Sequence, residues 1–142
     1  WAPFVVPEAL GAPDRAFYSP VPTGGKISLV YEPGPGIPRS EHTGVGLLVT
    51  EFRGDLDPGY IDKLADAGTA VEPLTILGSP ALWLEGGPHF VFFRTRGGTF
   101  VEEPGRLAGN TLLVEHGPLL VRIEGEIDRA RAVAIAESLR RP

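Results

Sequence analysis

The groups in this sequence able to do acid–base or metal chemistry are three histidines, His42, His89 and His116, and 18 acidic side chains. A histidine beside a carboxylate makes a general base, and three such groups converging make a metal site. The histidines lie far apart in the chain, at none of the short spacings of a zinc site, and with no Cys nothing can complete a thiolate set. Satisfying a backbone group at a turn is the expected role for each, so neither a metal nor another cofactor is expected. A hydrolase would have to draw on His89 or His116 with Glu124 or Glu126, two carboxylates that share one face of an extended strand. Their plainer role is a solvated strand end. Adjacent Glu102 and Glu103 point to opposite faces.

Nucleophiles and phosphate cradles are equally sparse. None of Ser19, Ser28, Ser40, Ser79 and Ser138 stands in a Gly-x-Ser-x-Gly elbow. Gly86-Gly87 and Gly97-Gly98 fall between strands rather than before a helix, which does not make a nucleotide-binding loop. The chain therefore reads as non-enzymatic. Its densest run of recognition chemistry is aromatic: Trp83, His89, Phe90 and Phe92 lie on successive strands, and segment 89–95 carries large apolar groups at both parities. Such a strand is either covered on both faces or presents one face to an occupant. Trp83, His89, Phe90 and Phe92, with loop 33–43, are the expected binding surface, for a small apolar ligand or a protein partner.

The elements that must position these residues are mostly strands. Segment 107–125 holds two period-2 runs around His116-Gly117-Pro118, an antiparallel hairpin in which Leu119, Val121 and Ile123 alternate with Leu120, Arg122 and Glu124. Strands are also expected at 17–18, 26–32 and 45–53, the last with Glu51 and Arg53 reaching water. Turn signals recur through 69–125, predicting a meander of consecutive hairpins. One helical turn fits at 7–10, a short helix near 58–66 after the Asp57 cap, and a C-terminal helix at 128–139. Asp128 caps that last helix, Ala130, Ala134, Ile135 and Leu139 form its inward stripe, and Arg140-Arg141 meet the negative end of its dipole. The expected fold is a single α+β domain over 1–142, a curved, mostly antiparallel sheet of about seven or eight strands with the C-terminal helix across one face.

Composition agrees. A chain of 142 residues, 42% hydrophobic and 22% charged, buries a core without metal or disulfide help. Its 19 Gly and 15 Pro favour turns and short strands. A net charge of −5 and dispersed basic residues argue against nucleic acid. No apolar run approaches the ~18 residues of a membrane span. With Trp1 first and no Met anywhere, the chain is expected to be a fragment whose anchor lies upstream.

The runs Gly78-Ser79-Pro80-Ala81-Leu82-Trp83-Leu84-Glu85-Gly86-Gly87-Pro88-His89, Arg106-Leu107-Ala108-Gly109-Asn110-Thr111-Leu112-Leu113-Val114-Glu115 and Arg122-Ile123-Glu124-Gly125 together resemble an uncharacterised extracytoplasmic domain of bacterial membrane-anchored proteins. Ala9-Leu10-Gly11-Ala12-Pro13-Asp14 and Ser28-Leu29-Val30-Tyr31 are similar to its N-terminal signature. That domain follows a membrane-spanning helix, sometimes behind a segment of anti-sigma-factor type. The resemblance implies an α+β sensor domain outside the cytoplasmic membrane, touching the membrane only through the upstream anchor, with a role in envelope signalling. It carries no catalytic residue across. Where family members have Trp in the segment matching 112–115, this chain has Val114. A lipid or lipoprotein carrier with an apolar cavity is the alternative reading.

Overall fold

Alternation of apolar side chains with period 2 runs through most of the chain, and the computed structural model, which describes residues 3–22, 24–56, 70–86, 90–95, 97–104 and 109–142, turns it into strands. In order these are β1 (Val6–Pro7), β2 (Arg15–Ser19), β3 (Lys26–Tyr31), β4 (Leu47–Leu56), β5 (Val71–Ile76), β6 (Ser79–Leu84), β7 (Phe90–Thr95), β8 (Phe100–Pro104), β9 (Asn110–His116) and β10 (Leu119–Gly125). Helix α1 (Arg129–Glu137) and β11 (Leu139–Arg140) follow. The helical turn expected at 7–10 is a 3-10 turn, Glu8–Leu10, ended by Gly11 at φ 71°. The helix expected near 58–66 lies outside the described residues.

Every pairing is antiparallel. Seven strands run in the order β2-β3-β4-β10-β9-β6-β5, an open sheet with β2 and β5 at its edges. The strand order departs from the expected meander at one place. β6 pairs with β9, while the β7–β8 hairpin leaves the row and pairs with the far end of β4, Leu56 opposite Phe93 and Gly54 opposite Thr95. That brings the sheet to nine strands among the described residues, against the expected seven or eight. A separate two-stranded ladder, Val6 opposite Arg140 and Pro7 opposite Leu139, ties the N-terminal segment to the end of the chain.

Helix α1 covers one face of the sheet. Its N-cap is Asp128, whose carboxylate accepts the Arg131 N–H at 2.8 Å. Ala132, Ile135 and Ala136 are its buried residues, whereas Ala130 and Ala134 of the expected stripe are exposed. Leu139, expected as the end of the helix, is buried in β11 after the helix stops at Glu137. The helical set stands at i, i+3 and i+4, and its two small residues let the helix approach closely while Ile135 fills the core. Beneath it lie Ile27, Leu29, Val49, Val121, Ile123, Leu112 and Trp83.

The second face is covered too. Phe52, Leu82, Leu84, Leu113 and Leu120 form a separate apolar cluster, and Val101 of β8 packs on it, so the β7–β8 hairpin reaches beneath the sheet. This corrects the expectation that Glu124 lies at a solvated strand end, and Arg122 is buried with it. Arg122 is 0% exposed and Glu124 2%, with Arg122 Nε 3.4 Å from Glu124 Oε1 and its guanidinium 5.3 Å from the centroid of the Phe52 ring. Ser28, Thr50 and Arg122 lie side by side on β3, β4 and β10 and all are buried. A buried ion pair roughly breaks even against an apolar pair, but a single buried charge does not. Glu124→Leu alone should cost about 3–5 kcal/mol in urea unfolding, and adding Arg122→Met should recover most of it. Equal losses in the single and double variants would mean the pair is not the source of the cost.

Candidate functional site

Antiparallel register brings three strands to one end of the helix-covered face. Arg53 of β4 stands opposite Leu119 of β10, and Leu119 stands opposite His116 of β9. Position parity puts Arg53, Leu119 and His116 on the same face as Val49, Val121 and Val114, in the end row of the core, where Leu119 is buried and Arg53 and His116 are half-buried. The β1–β11 ladder then brings the two chain ends over this row. Phe4 precedes β1 and Arg141 follows β11, and together with Pro118 from the β9–β10 turn they close a cavity of about 230 Å³ over Arg53, His116 and Leu119.

Two contacts fix Phe4 there. Its N–H donates to Glu51 Oε2 at 2.8 Å, and the N–H of Val5 reaches Oε1 at 3.4 Å, so one carboxylate holds two successive peptide groups. Its ring lies 4.1 Å from the Arg53 guanidinium carbon, a stacked cation–π contact. Glu51 and Arg53 are neighbours at i, i+2 on the same side of β4, which is how one strand end holds both the backbone and the ring of Phe4.

Glu51 is fully buried, not at the water-facing strand end that alternation suggested. Burial pushes its carboxyl from 4.5 to about 7, against the opposing pull of the two N–H groups that favour the charged form. Tyr31, on the same face, is pushed up to about 12, by burial first and then by the charges of Glu51 and Asp14.

Of Trp83, His89, Phe90 and Phe92, the surface expected from sequence, only Trp83 has its side chain among the described residues. Trp83 is buried beneath α1 among core residues, its indole N–H donating to Glu85 at 3.2 Å, and it also lines a shallow cavity of about 190 Å³ with Ala70, Val71, Glu72 and Glu85. His89 lies outside the described residues. The backbones of Phe90 and Phe92 pair with Pro104 and Glu102 in the β7–β8 hairpin. His116 and Glu124 stand on opposite faces and towards opposite ends of the β9–β10 hairpin, so no acid–base couple joins them, and Glu126 is exposed beyond the end of β10. His42 is exposed in the 33–43 loop. Among the described residues, no three His, Asp or Glu side chains group so as to hold a metal ion.

Of the residues that do converge, only His116 had been singled out by its chemistry, and as a turn residue. Arg53 and Arg141 read as a solvated strand end and a helix terminus. Arg140 does serve that second role, donating to the carbonyls of Glu137 at 2.9 Å and Leu139 at 2.8 Å, while Arg141 goes on to the cavity. The convergence depends on long-range register, with parity along β4 the one local signal that Glu51 and Arg53 share the inward face.

Compared with known proteins, the chain matches no family model, no curated protein and no solved structure.

The Glu51 carboxyl gives a signed prediction. The folded chain holds its proton up to about pH 7 while the unfolded chain releases it near 4.5, so its contribution to stability is full below 4.5 and is lost as pH rises through 7. Glu51→Gln removes that dependence. Whatever constant offset the amide brings, the stability difference between the two proteins should move in favour of glutamine by roughly 2–3 kcal/mol between pH 5 and pH 8. Urea midpoints across that range check it, and parallel curves would exclude a raised Glu51.

Proposed function

We propose that this is a non-enzymatic ligand-binding sensor domain, held outside the cytoplasmic membrane by a membrane-anchored protein, and that it binds at the end-of-sheet cavity. The observation that carries this is the make-up of the cavity, which draws Phe4 and Arg141 from the two ends of the chain onto the Arg53–Leu119–His116 row. A ligand there touches the N-terminal segment as well as the rigid sheet, so its occupancy is felt by whatever continues from that segment. Ligand sites combine apolar walls with a few well-placed polar groups, and this one has Phe4, Pro118 and Leu119 beside two guanidiniums and an imidazole.

Placement outside the membrane, and a link to an anti-sigma-factor-type segment, rest on the resemblance of segments 78–89, 106–115 and 122–125 to the extracytoplasmic domain. The Trp83 region supports the sensor reading over the lipid-carrier one, because the indole is packed against neighbouring strands rather than lining a wide apolar chamber.

A thermal-shift panel of small anions, sugars, amino acids and fatty acids tests the reading. At a hundredfold excess over Kd a ligand adds about 2.7 kcal/mol, worth several degrees in a chain of this size. At least one compound should raise the Tm of the native domain and leave Phe4→Ala and Arg53→Ala unshifted. A panel in which every compound acts equally on all three proteins would remove the cavity as the binding site.

A further inference from the structure

We propose that the end-of-sheet cavity is an oxyanion site, in which Arg53 and Arg141 hold one phosphate or carboxylate group beside His116 and the ring of Phe4. On the ligand-binding reading above, on which this rests, the lining residues fix the class of ligand.

Charge is the first ground. The chain has a net charge of −5, and its described arginines are mostly spoken for: Arg15 by Glu32, Arg94 by Asp55, Arg122 by Glu124, Arg129 by Glu72 and Arg140 by Glu8. Arg39, Arg53, Arg131 and Arg141 form no ion pair among the described residues, and of these Arg53 and Arg141 share one cavity, whose described lining holds no carboxylate. Two guanidiniums on one small hollow of an acidic protein make a local concentration of positive charge, with the Glu51 carboxylate, on the same side of β4, engaged by the N–H groups of Phe4 and Val5.

Geometry is the second. The Arg53 guanidinium carbon lies over the Phe4 ring, 4.1 Å from its centroid, and a π-face cannot satisfy the five N–H donors of a guanidinium, whose fork suits two-point binding of a carboxylate or phosphate. Its stem is held in place. Gly24, at φ 99°, lies so close that a Cβ there would stand 3.0 Å from the Arg53 Cβ, and the strand register fixes the backbone on the other side. Arg141 approaches from the β1–β11 ladder, so the two cations come from segments far apart in the chain.

Size is the third. About 230 Å³ falls below the roughly 300–1,000 Å³ of sites that enclose a whole drug-sized ligand. The hollow takes an anionic head group with a few attached atoms, the remainder of any larger molecule lying outside.

Titration calorimetry at constant ionic strength tests this with inorganic phosphate, sulfate and acetate, on the native domain, Arg53→Gln, Arg141→Gln, the double variant and Arg15→Gln. Arg15 lies on edge strand β2 in an exposed pair, and its loss changes net charge by the same amount. At least one of the three anions should bind the native domain and Arg15→Gln alike, about tenfold or more weaker in each cavity variant, and not measurably in the double variant. Arg141 is exposed near the chain end, so its variant reads the site even where Arg53→Gln costs stability. Equal weakening by Arg15→Gln would overturn the site in favour of diffuse attraction. Silence from all three anions, with an uncharged compound still binding in a Phe4-dependent way, would overturn the oxyanion class while leaving the ligand-binding reading intact. Vesicles of phosphatidylcholine with and without phosphatidylglycerol distinguish the source: binding of free phosphate without co-sedimentation assigns a soluble anion, and Arg53-dependent co-sedimentation with the anionic vesicles assigns a lipid head group.

Discussion

Strand β4 is hydrogen-bonded to three neighbours, to β3 and β10 along 47–53 and to β7 at 54–56, and its alternation distributes the chemistry of the whole domain. Leu47 and Val49 enter the core under α1, Glu51 receives the N-terminal segment, and Arg53 forms the floor of the cavity. On the other side of the same strand Thr50 joins the buried polar row and Phe52 the second apolar cluster. A one-residue slip of β4 would send Glu51 and Arg53 to the face of the hairpin and Thr50 and Phe52 to the helix, exchanging every one of these roles. Seven paired positions with β10 and six with β3 make that slip costly, so the site is as well defined as the sheet.

Local features of the sequence carried much of this. Period-2 runs locate β2 to β10 to within a few residues, though not the short β1 and β11, and Asp128 is recognisable as a cap and Gly11 as the end of the first turn. What local features could not carry was partnership. The β7–β8 run has the same turn signals as its neighbours, so it reads as two more strands of a meander, while the structure pairs it with the end of β4. Helix α1 is rich in Ala on all sides, which leaves its apolar stripe poorly marked, and the choice between Ala130 or Ala134 and Ala132 or Ala136 is made by the fit of Ile135 and Leu139 to the sheet.

Charged residues at strand positions are where sequence and structure part most. Arg122 and Glu124 alternate with Val121 and Ile123, the pattern of a sheet with one wet face, yet a second layer shields them. Glu51 and Arg53 read from sequence as a strand end, where charge is normally solvated, yet β4 continues to Leu56 and the N-terminal segment crosses over them. In both cases the covering element comes from far along the chain, and no window of sequence around the charge contains it. Polar groups that a fold buries at the meeting point of distant segments are therefore both the least legible from sequence and the first places to look for a site.

Phe4 joins these threads, because its peptide group and its ring serve different partners. The N–H is held by Glu51, and the ring covers Arg53 and walls the cavity. Contact of the N-terminal segment with β4 thus also completes the cavity, and on the proposed ligand-binding reading an occupant that touches Phe4 would favour that contact. Linkage makes this reciprocal: whatever pulls the segment away weakens binding by the same factor by which binding resists the pull. Couplings of about 1–3 kcal/mol are ordinary for such arrangements, and losing one aromatic wall and one stacked guanidinium contact is of that order. The Glu51 carboxyl takes part in the same contact from both sides: it accepts the two N–H groups that hold the segment, which favours its charged form, and it is buried there, which favours its proton and outweighs them.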